Sequence, residues 1–288
     1  MATTNGSFQM GVALGAALAA SVAGAGAFET RSVPFAPTAE QIATVERLAD
    51  APAAPFAGER FAAPDGSTLP YRIAPPAATG PTAPLVLLLH GAGSMGEDNA
   101  AQLGPFVKAW AAPEIAGRYP AFVVAPQVAV RSSEYDEGDD GLRASRLGAS
   151  LPAILALVEH LSGRLPIDRS RVYLVGFSMG ASAALDAVTV EPERFAGVVA
   201  FSGVPPQRVL ARLARTPALL VHGTRDESNP IDAARAWVAA LSAAGAKPVF
   251  VTYEGMDHQV PPDTALAHDW RDWLFAQRLP PTPGGSAR

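Results

Sequence analysis

Five consecutive residues, Gly176-Phe177-Ser178-Met179-Gly180, have the types and spacing of a nucleophilic serine at a tight turn. They follow an apolar run at 172–175 that predicts a buried strand, and they precede a helical pattern at 181–188. Small residues must flank the serine in such a turn, because its backbone is strained and its hydroxyl projects from the edge of the sheet. We therefore predict that Ser178 is a nucleophile that attacks carbonyl carbon.

A serine hydroxyl is a weak nucleophile, so this chemistry also needs an imidazole to take its proton and a carboxylate to orient the imidazole. Both groups are expected on loops that follow later strands, with the acid before the histidine along the chain. Asp226 and His258 each stand shortly after an apolar run, so we predict Asp226 as the orienting acid and His258 as the general base. The alternatives to Asp226 are its neighbour Glu227 and the helical Asp232.

The remaining histidines have other interpretations. His160 and His268 lie within predicted helices, and His222 ends a predicted strand beside the Asp226 loop. Packed or solvated positions are expected for these three side chains. His90 begins a Gly-rich loop, and we expect its ring to order that loop by hydrogen bonding and not to transfer protons.

Attack by Ser178 would place negative charge on the carbonyl oxygen, and two backbone N–H groups can stabilise that charge. One donor is predicted at Met179, directly after the nucleophile. The second is expected from the Gly-rich loop 90–96, where we assign Ala92, with Gly93 as the substitute. Because this loop matches neither the P-loop pattern nor the dinucleotide fingerprint, no cofactor is predicted, and no spacing typical of a metal site is recognised.

The walls of the site are predicted from residues near the same loops. We expect Met95, Phe201 and Met256 to bind substrate, which favours an apolar acyl group. The segment 131–148 is rich in acidic residues and interrupts the alternation of strands and helices. A solvated loop is the first interpretation of that segment, and a lid or a cation site is the alternative.

The elements that must position these residues alternate along the chain. Such alternation predicts a mostly parallel central sheet with helices on both faces, preceded by an antiparallel strand at 68–73. The predicted parallel strands are 85–89, 121–125, 171–175, 197–201, 218–221 and 249–253. The predicted helices are 98–111, 150–162, 179–189, 231–244 and 264–277.

From about residue 56 to 278 the chain resembles the α/β-hydrolase superfamily. Three further stretches carry the resemblance beside the serine motif: Leu88-Leu89-His90-Gly91-Ala92-Gly93, Asp98-Asn99 and Ala125-Pro126-Gln127. They are similar to those of the dienelactone hydrolase, phospholipase/carboxylesterase and polyhydroxybutyrate depolymerase-like esterases. The resemblance implies cofactor-free acyl transfer by a Ser-His-Asp triad. Dienelactone hydrolases proper use a cysteine, which this chain lacks, so that particular activity is not expected.

The predicted activity is hydrolysis of carboxylic esters, small or polymeric, through an acyl-enzyme intermediate. An ester is favoured over a peptide because an alkoxide or phenoxide leaves more easily than an amine. A serine peptidase of the same fold is the alternative, and a non-catalytic binding protein that keeps the hydrolase fold is a more distant one.

Composition excludes several other classes of function. The 288 residues, 49% of them hydrophobic, are enough for one large domain with a full core. A formal net charge of −5 gives no basic face for phosphates, so nucleic acid is not expected as a partner. The chain has no cysteine, which excludes disulfides, thiolate metal sites and a cysteine nucleophile. Oligomeric state is left open.

The chain is predicted to have four parts. Residues 1–27 are interpreted as a signal peptide, because an uncharged apolar run ends at Ala25-Gly26-Ala27, although no Lys or Arg precedes the run. We therefore expect a secreted or periplasmic protein without a stable membrane span, with the cytoplasm as the alternative. A linker or wrapping segment is expected at 28–55, the hydrolase domain at 56–278 and a flexible tail at 279–288.

Overall fold

The computed structural model describes residues 1, 29–78, 80–207 and 216–280. The predicted signal peptide lies outside the described residues except for Met1, and so does most of the predicted tail. Export therefore stays a prediction.

Within the described residues, one nine-stranded sheet has the order β1-β11-β10-β9-β8-β4-β5-β3-β2. All neighbouring strands are parallel except β3, which runs antiparallel to both β5 and β2. This is the mostly parallel sheet predicted from the alternating apolar runs. The strands are β1 (Arg31–Pro34), β2 (Ala57–Ala62), β3 (Thr68–Ala74), β4 (Ala83–Leu89), β5 (Phe122–Pro126), β8 (Ile167–Phe177), β9 (Gly197–Phe201), β10 (Ala218–Gly223) and β11 (Val249–Glu254), with β6 (Ser133–Glu137) and β7 (Arg143–Leu147) in a separate hairpin.

Helices cover both faces of the sheet, as predicted. One face packs against α4, α5 and α6, and the other packs against α2, α3 and α7. No helix in the described ranges is long and apolar enough to cross a bilayer. The helices are α1 (Ala39–Asp50), α2 (Pro105–Lys108), α3 (Pro113–Arg118), α4 (Leu151–Arg164), α5 (Met179–Val190), α6 (Ile231–Ala243) and α7 (Asp269–Phe275).

Strand β4 shows how the apolar runs build two cores at once. All of its residues are buried. Because successive side chains of a strand point to opposite faces, Leu85, Leu87 and Leu89 join one core while Val86 and Leu88 join the other. A strand buried on both faces has no alternation of polar residues, which is why a continuous apolar run predicted it.

Two predicted helices are shorter in the structure. The prediction of a helix over 98–111 is wrong for its first half, because the Asp98 carboxylate accepts hydrogen bonds from the N–H groups of Ala100 and Ala101 and holds a turn. Helix α2 begins only at Pro105, a residue suited to the first helical turn. At the other end of the chain, helix 264–277 is reduced to a short 3-10 turn followed by α7.

The segment 28–55, predicted as a linker or wrapping segment, contributes to the fold. Strand β1 extends the sheet by pairing in parallel with β11. Helix α1 follows after a capping box in which Thr38 and Gln41 satisfy each other's backbone N–H groups. It buries Leu48 and packs beside α2.

The segment 131–148 is a β-hairpin and not the solvated loop predicted from its acidic composition. Strands β6 and β7 pair antiparallel and pack on α5. The buried side chains of the hairpin are small, Ser133, Ala144 and Ser145, so the sequence shows no apolar run there. Among the described residues, no group of three or more His, Cys, Asp or Glu side chains is arranged to hold a metal, so the cation-site alternative gains no support.

A buried carboxylate joins this hairpin to α5. Asp186 is fully buried, and its two oxygens accept hydrogen bonds of 2.7 Å from the hydroxyls of Ser133 and Ser145. Burial raises the pKa of Asp186 to about 6, an effect that the two serine hydroxyls oppose but do not cancel. At neutral pH this carboxylate is therefore mostly ionised, and it forms no ion pair with any of the residues that the structure describes.

Asp186→Asn is expected to raise the free energy of unfolding at pH 7 by an amount on the order of 1–3 kcal/mol. In this variant the amide Nδ2 can donate to Ser133 Oγ. The Ser133 hydroxyl can then donate to Arg146 O, which lies 3.3 Å away. The sign follows from the raised pKa: the folded state binds this proton more tightly, so its contribution to stability falls as pH rises from about 4 to about 6. Chemical denaturation at pH 4 and at pH 7 should show the gain only at pH 7.

The exposed Asp136, which pairs with Arg146 on the same hairpin, supplies the control. Asp136→Asn should change the free energy of unfolding by no more than about 0.5 kcal/mol at either pH. An equal gain from Asp186→Asn at pH 4 and at pH 7 would contradict the assigned cause.

Candidate active site

Ser178 lies at the turn between β8 and α5, in a backbone conformation that is rare for a residue with a side chain. Its φ is 54° and its ψ is −120°. Both flanking glycines are required by space: a Cβ on Gly176 would lie 2.3 Å from Gly180 O, and one on Gly180 would lie 2.1 Å from Leu89 O. The strained turn and its glycines expose the serine hydroxyl at the carboxyl edge of the sheet.

Three strand ends bring the predicted serine, histidine and aspartate together. His258 Nε2 lies 2.8 Å from Ser178 Oγ, and His258 Nδ1 lies 2.8 Å from Asp226 Oδ2. The carboxylate can only accept, so Nδ1 carries the hydrogen and Nε2 is left to accept the serine proton. The alternatives to Asp226 face solvent: Glu227 is exposed, and Asp232 is exposed and paired with Arg235 at 3.1 Å.

The Asp226 carboxylate is completely shielded from solvent. Burial acts to raise the pKa of Asp226, but hydrogen bonds from His222, His258 and the Asn229 N–H outweigh it and hold the pKa well below its usual range. The carboxylate is therefore ionised at neutral pH. The Asn229 N–H, 2.8 Å from Asp226 Oδ1, had no role in the sequence prediction, although aspartate side chains commonly accept from a backbone N–H two or three residues further along the chain.

The two predicted oxyanion donors each begin a helix. Met179 is the first residue of α5, and Ala92 is the first residue of a 3-10 turn, Ala92–Ser94, that includes the substitute Gly93. N–H groups in a first helical turn have no acceptor within their own helix, and neither turn is capped by a side chain. The two starts adjoin, because a Cβ on Gly91 would lie 3.4 Å from Ser178 Cβ. Both amides are thus available near the nucleophile.

His90 orders this loop, as predicted. Its Nε2 accepts a hydrogen bond of 3.1 Å from Val128 N–H, so its Nδ1 carries the hydrogen and donates to Gly91 O at 2.8 Å. Burial lowers the pKa of His90, which keeps the ring neutral. Both ring nitrogens are occupied, and none is left for proton transfer.

Gln127 also holds the Gly-rich loop 90–96 in place, and no role was predicted for it from the sequence. Its Oε1 accepts from Asn99 N–H at 2.6 Å, while its Nε2 donates to Ser94 O at 3.2 Å and to the Asp98 carboxylate at 2.8 Å. Gln127 is fully buried. The sequence did carry a signal that could have revealed this role, because Gln127 is a polar residue directly after a continuous apolar strand.

Two of the three predicted substrate-binding side chains belong to the core. Phe201 is fully buried and packs edge-on against Phe106 and Trp270. Met256 is also fully buried and lies in the same core cluster. Their prediction as pocket residues is therefore wrong, because proximity to a strand end did not reveal the side on which each side chain points. Met95 is half-buried, packs against the other core and follows the 3-10 turn of Ala92.

Comparison with known proteins agrees with the fold and places the chain among esterases. A family model described as phospholipase/carboxylesterase matches residues 137–266. NocK of Nocardia uniformis subsp. tsuyamanensis, described by its name as an expected esterase, is 33% identical over 249 residues. The match covers 83% of this chain and 70% of that protein. A probable carboxylesterase of Oryza sativa subsp. japonica is 28% identical over 207 residues, 66% of this chain and 86% of its own.

Among solved structures, a thermostable esterase superposes with a TM-score of 0.70 at 29% sequence identity. The match covers 77% of this chain and 63% of that chain. This chain therefore spans less than two thirds of that esterase.

Proposed function

Because this chain belongs to the esterases of the α/β-hydrolase superfamily, we propose that it cleaves carboxylic esters through an acyl-enzyme intermediate on Ser178. One observation carries the proposal: a single imidazole, His258, lies 2.8 Å from both the Ser178 hydroxyl and the Asp226 carboxylate. That arrangement is suited to proton transfer and has no evident structural purpose.

In the first half of the reaction, Ser178 Oγ bonds to the ester carbonyl carbon and its proton passes to His258 Nε2. The carbonyl oxygen becomes negatively charged and is stabilised by the N–H groups of Ala92 and Met179, aided by the positive end of the α5 dipole. The ionised Asp226 stabilises the imidazolium that forms on His258. Collapse breaks the bond to the alcohol oxygen, which takes the proton from Nε2 and leaves as the free alcohol.

In the second half, water replaces the alcohol. His258 Nε2 takes a proton from the water as its oxygen bonds to the acyl carbon, and the same N–H groups stabilise the second oxyanion. Release of Ser178 Oγ with that proton yields the carboxylic acid and restores the enzyme. His258 has 22% of its side chain exposed, so water can reach it.

The proposal is tested with p-nitrophenyl acetate and a fluorophosphonate probe. Rapid mixing should give a burst of about one p-nitrophenolate per chain if deacylation is the slower step, and peptide mapping should place the phosphonyl group on Ser178. Heat-unfolded protein is the matched control and should not react, because its serine lacks the base. Absence of labelling in the folded protein, or labelling at another serine, would overturn the proposal.

A further inference from the structure

We propose that His222, for which the sequence predicted only a packed or solvated position, is a positioning residue that holds the Asp226 carboxylate in the orientation His258 requires. The proposal rests on the proposed function, since it concerns the acid of that same triad. His222 lies in β10, four residues before Asp226, and is 1% exposed. Its side chain is therefore shielded from solvent.

One ring nitrogen of His222 contacts two oxygens. Its Nε2 lies 2.7 Å from Asn229 O and 3.3 Å from Asp226 Oδ2. A carbonyl and an ionised carboxylate can only accept, so Nε2 must carry the hydrogen. That N–H donates to the backbone of the acid loop at Asn229 O and presents its positive end to the Asp226 carboxylate beside it.

The consequence for Asp226 is that both of its oxygens are held. Oδ2 accepts from His258 Nδ1–H at 2.8 Å and lies 3.3 Å from His222 Nε2, while Oδ1 accepts from Asn229 N–H at 2.8 Å. Rotation of the carboxylate would break at least one of these bonds. Because the side chain is fully shielded, no water replaces a lost donor.

His222 itself acts from a fixed position, because its main acceptor is anchored. The Asn229 side-chain Nδ2 donates to Ser202 O at 2.7 Å, and Ser202 N–H donates to Val221 O at 2.8 Å. The acid loop is thereby tied to the ends of β9 and β10. His222 is the member of this network whose side chain contacts both the loop backbone and the Asp226 carboxylate.

The test compares two amides of different length at position 222. In His222→Gln the amide nitrogen is as many bonds from the backbone as the Nε2 of His222, so it can donate in the same place. In His222→Asn the side chain is one bond shorter, so its amide nitrogen cannot reach that place. We expect His222→Gln to keep kcat for p-nitrophenyl acetate within about threefold of wild type. His222→Asn should lower kcat by about 10- to 100-fold, the rate equivalent of one hydrogen bond to a charged group, with KM within about twofold.

Two further measurements separate positioning from packing. The most downfield proton resonance, expected from His258 Nδ1–H, should be retained in His222→Gln and shifted or broadened in His222→Asn. Chemical denaturation establishes that each variant is folded. His160, on α4 against Phe61, is the control, and His160→Gln and His160→Asn should both keep wild-type kcat.

A folded His222→Gln that loses kcat as His222→Asn does would overturn the proposal, as would an unchanged kcat in folded His222→Asn or a loss confined to KM. If His222→Asn does not fold, His222→Gln and its downfield resonance decide the question. A wild-type protein without esterase activity would instead overturn the proposed function, while the resonance would still report whether His222 orients the Asp226–His258 pair.

Discussion

Ser178→Ala is expected to lower kcat for p-nitrophenyl acetate by about 10⁴-fold or more, to the level left by binding and oxyanion stabilisation alone. The physical reason is that, in the proposed mechanism, the Ser178 oxygen 2.8 Å from His258 Nε2 bonds to the substrate, so no acyl-enzyme can form without it. KM should change little, because the Oγ contributes its main interaction in the transition state. Steady-state kinetics over a range of substrate concentrations measures both quantities.

An exposed serine provides the matched control. Ser242 on α6 donates to Val238 O within its own helix, and Ser242→Ala should keep wild-type kcat. Turnover by Ser178→Ala within tenfold of wild type, with no reaction in the protein-free sample, would show that another group is the nucleophile.

Asp226→Asn is expected to lower kcat by about 10⁴-fold while the fold is kept. An amide placed with its NH₂ towards His258 cannot accept the Nδ1 hydrogen, so the ring would turn to the tautomer whose Nε2 carries hydrogen and cannot accept the Ser178 proton. The opposite amide orientation sets its NH₂ against the Asn229 N–H, which in the wild type donates to Asp226 Oδ1 at 2.8 Å, so that two donors would face each other. Neither orientation satisfies all of the donors, so the free energy of unfolding should fall as well.

The controls are the carboxylates that the sequence offered as alternatives. Asp232→Asn and Glu227→Gln remove a charge from the same loop region but alter only exposed side chains. Both variants should keep kcat within about twofold of wild type. If either variant lost as much activity as Asp226→Asn does, the assignment of Asp226 as the orienting acid would be wrong.

The elements that the sequence predicted well are those whose signal is local. Runs such as 85–89 and 218–221 are apolar throughout because strands in a covered parallel sheet are buried on both faces. The hairpin at 131–148 carries no such signal, since the side chains it buries are small or hydroxylated and its acids face solvent. Its place in the fold depends on Asp186, a residue of a different element.

Side-chain direction was the main source of error in the site. Phe201 and Met256 stand close to the right strand ends in the sequence, yet both side chains point into the core. His222 shows the reverse case, a buried residue beside the acid loop whose ring nitrogen meets Asp226. Spacing along the chain does not determine on which side of a strand end a side chain lies.

The sequence by itself determined the fold class and the order of the candidate groups, Ser178, then Asp226, then His258, because short apolar runs and a glycine-flanked serine are properties of single segments. Only the tertiary structure decided which atoms meet: the imidazole of His258 lies between two partners at 2.8 Å, and the His222 Nε2 lies beside the Asp226 carboxylate. Those contacts join residues that lie far apart along the chain or on opposite sides of a turn. They exist only once the sheet has set its strand ends side by side.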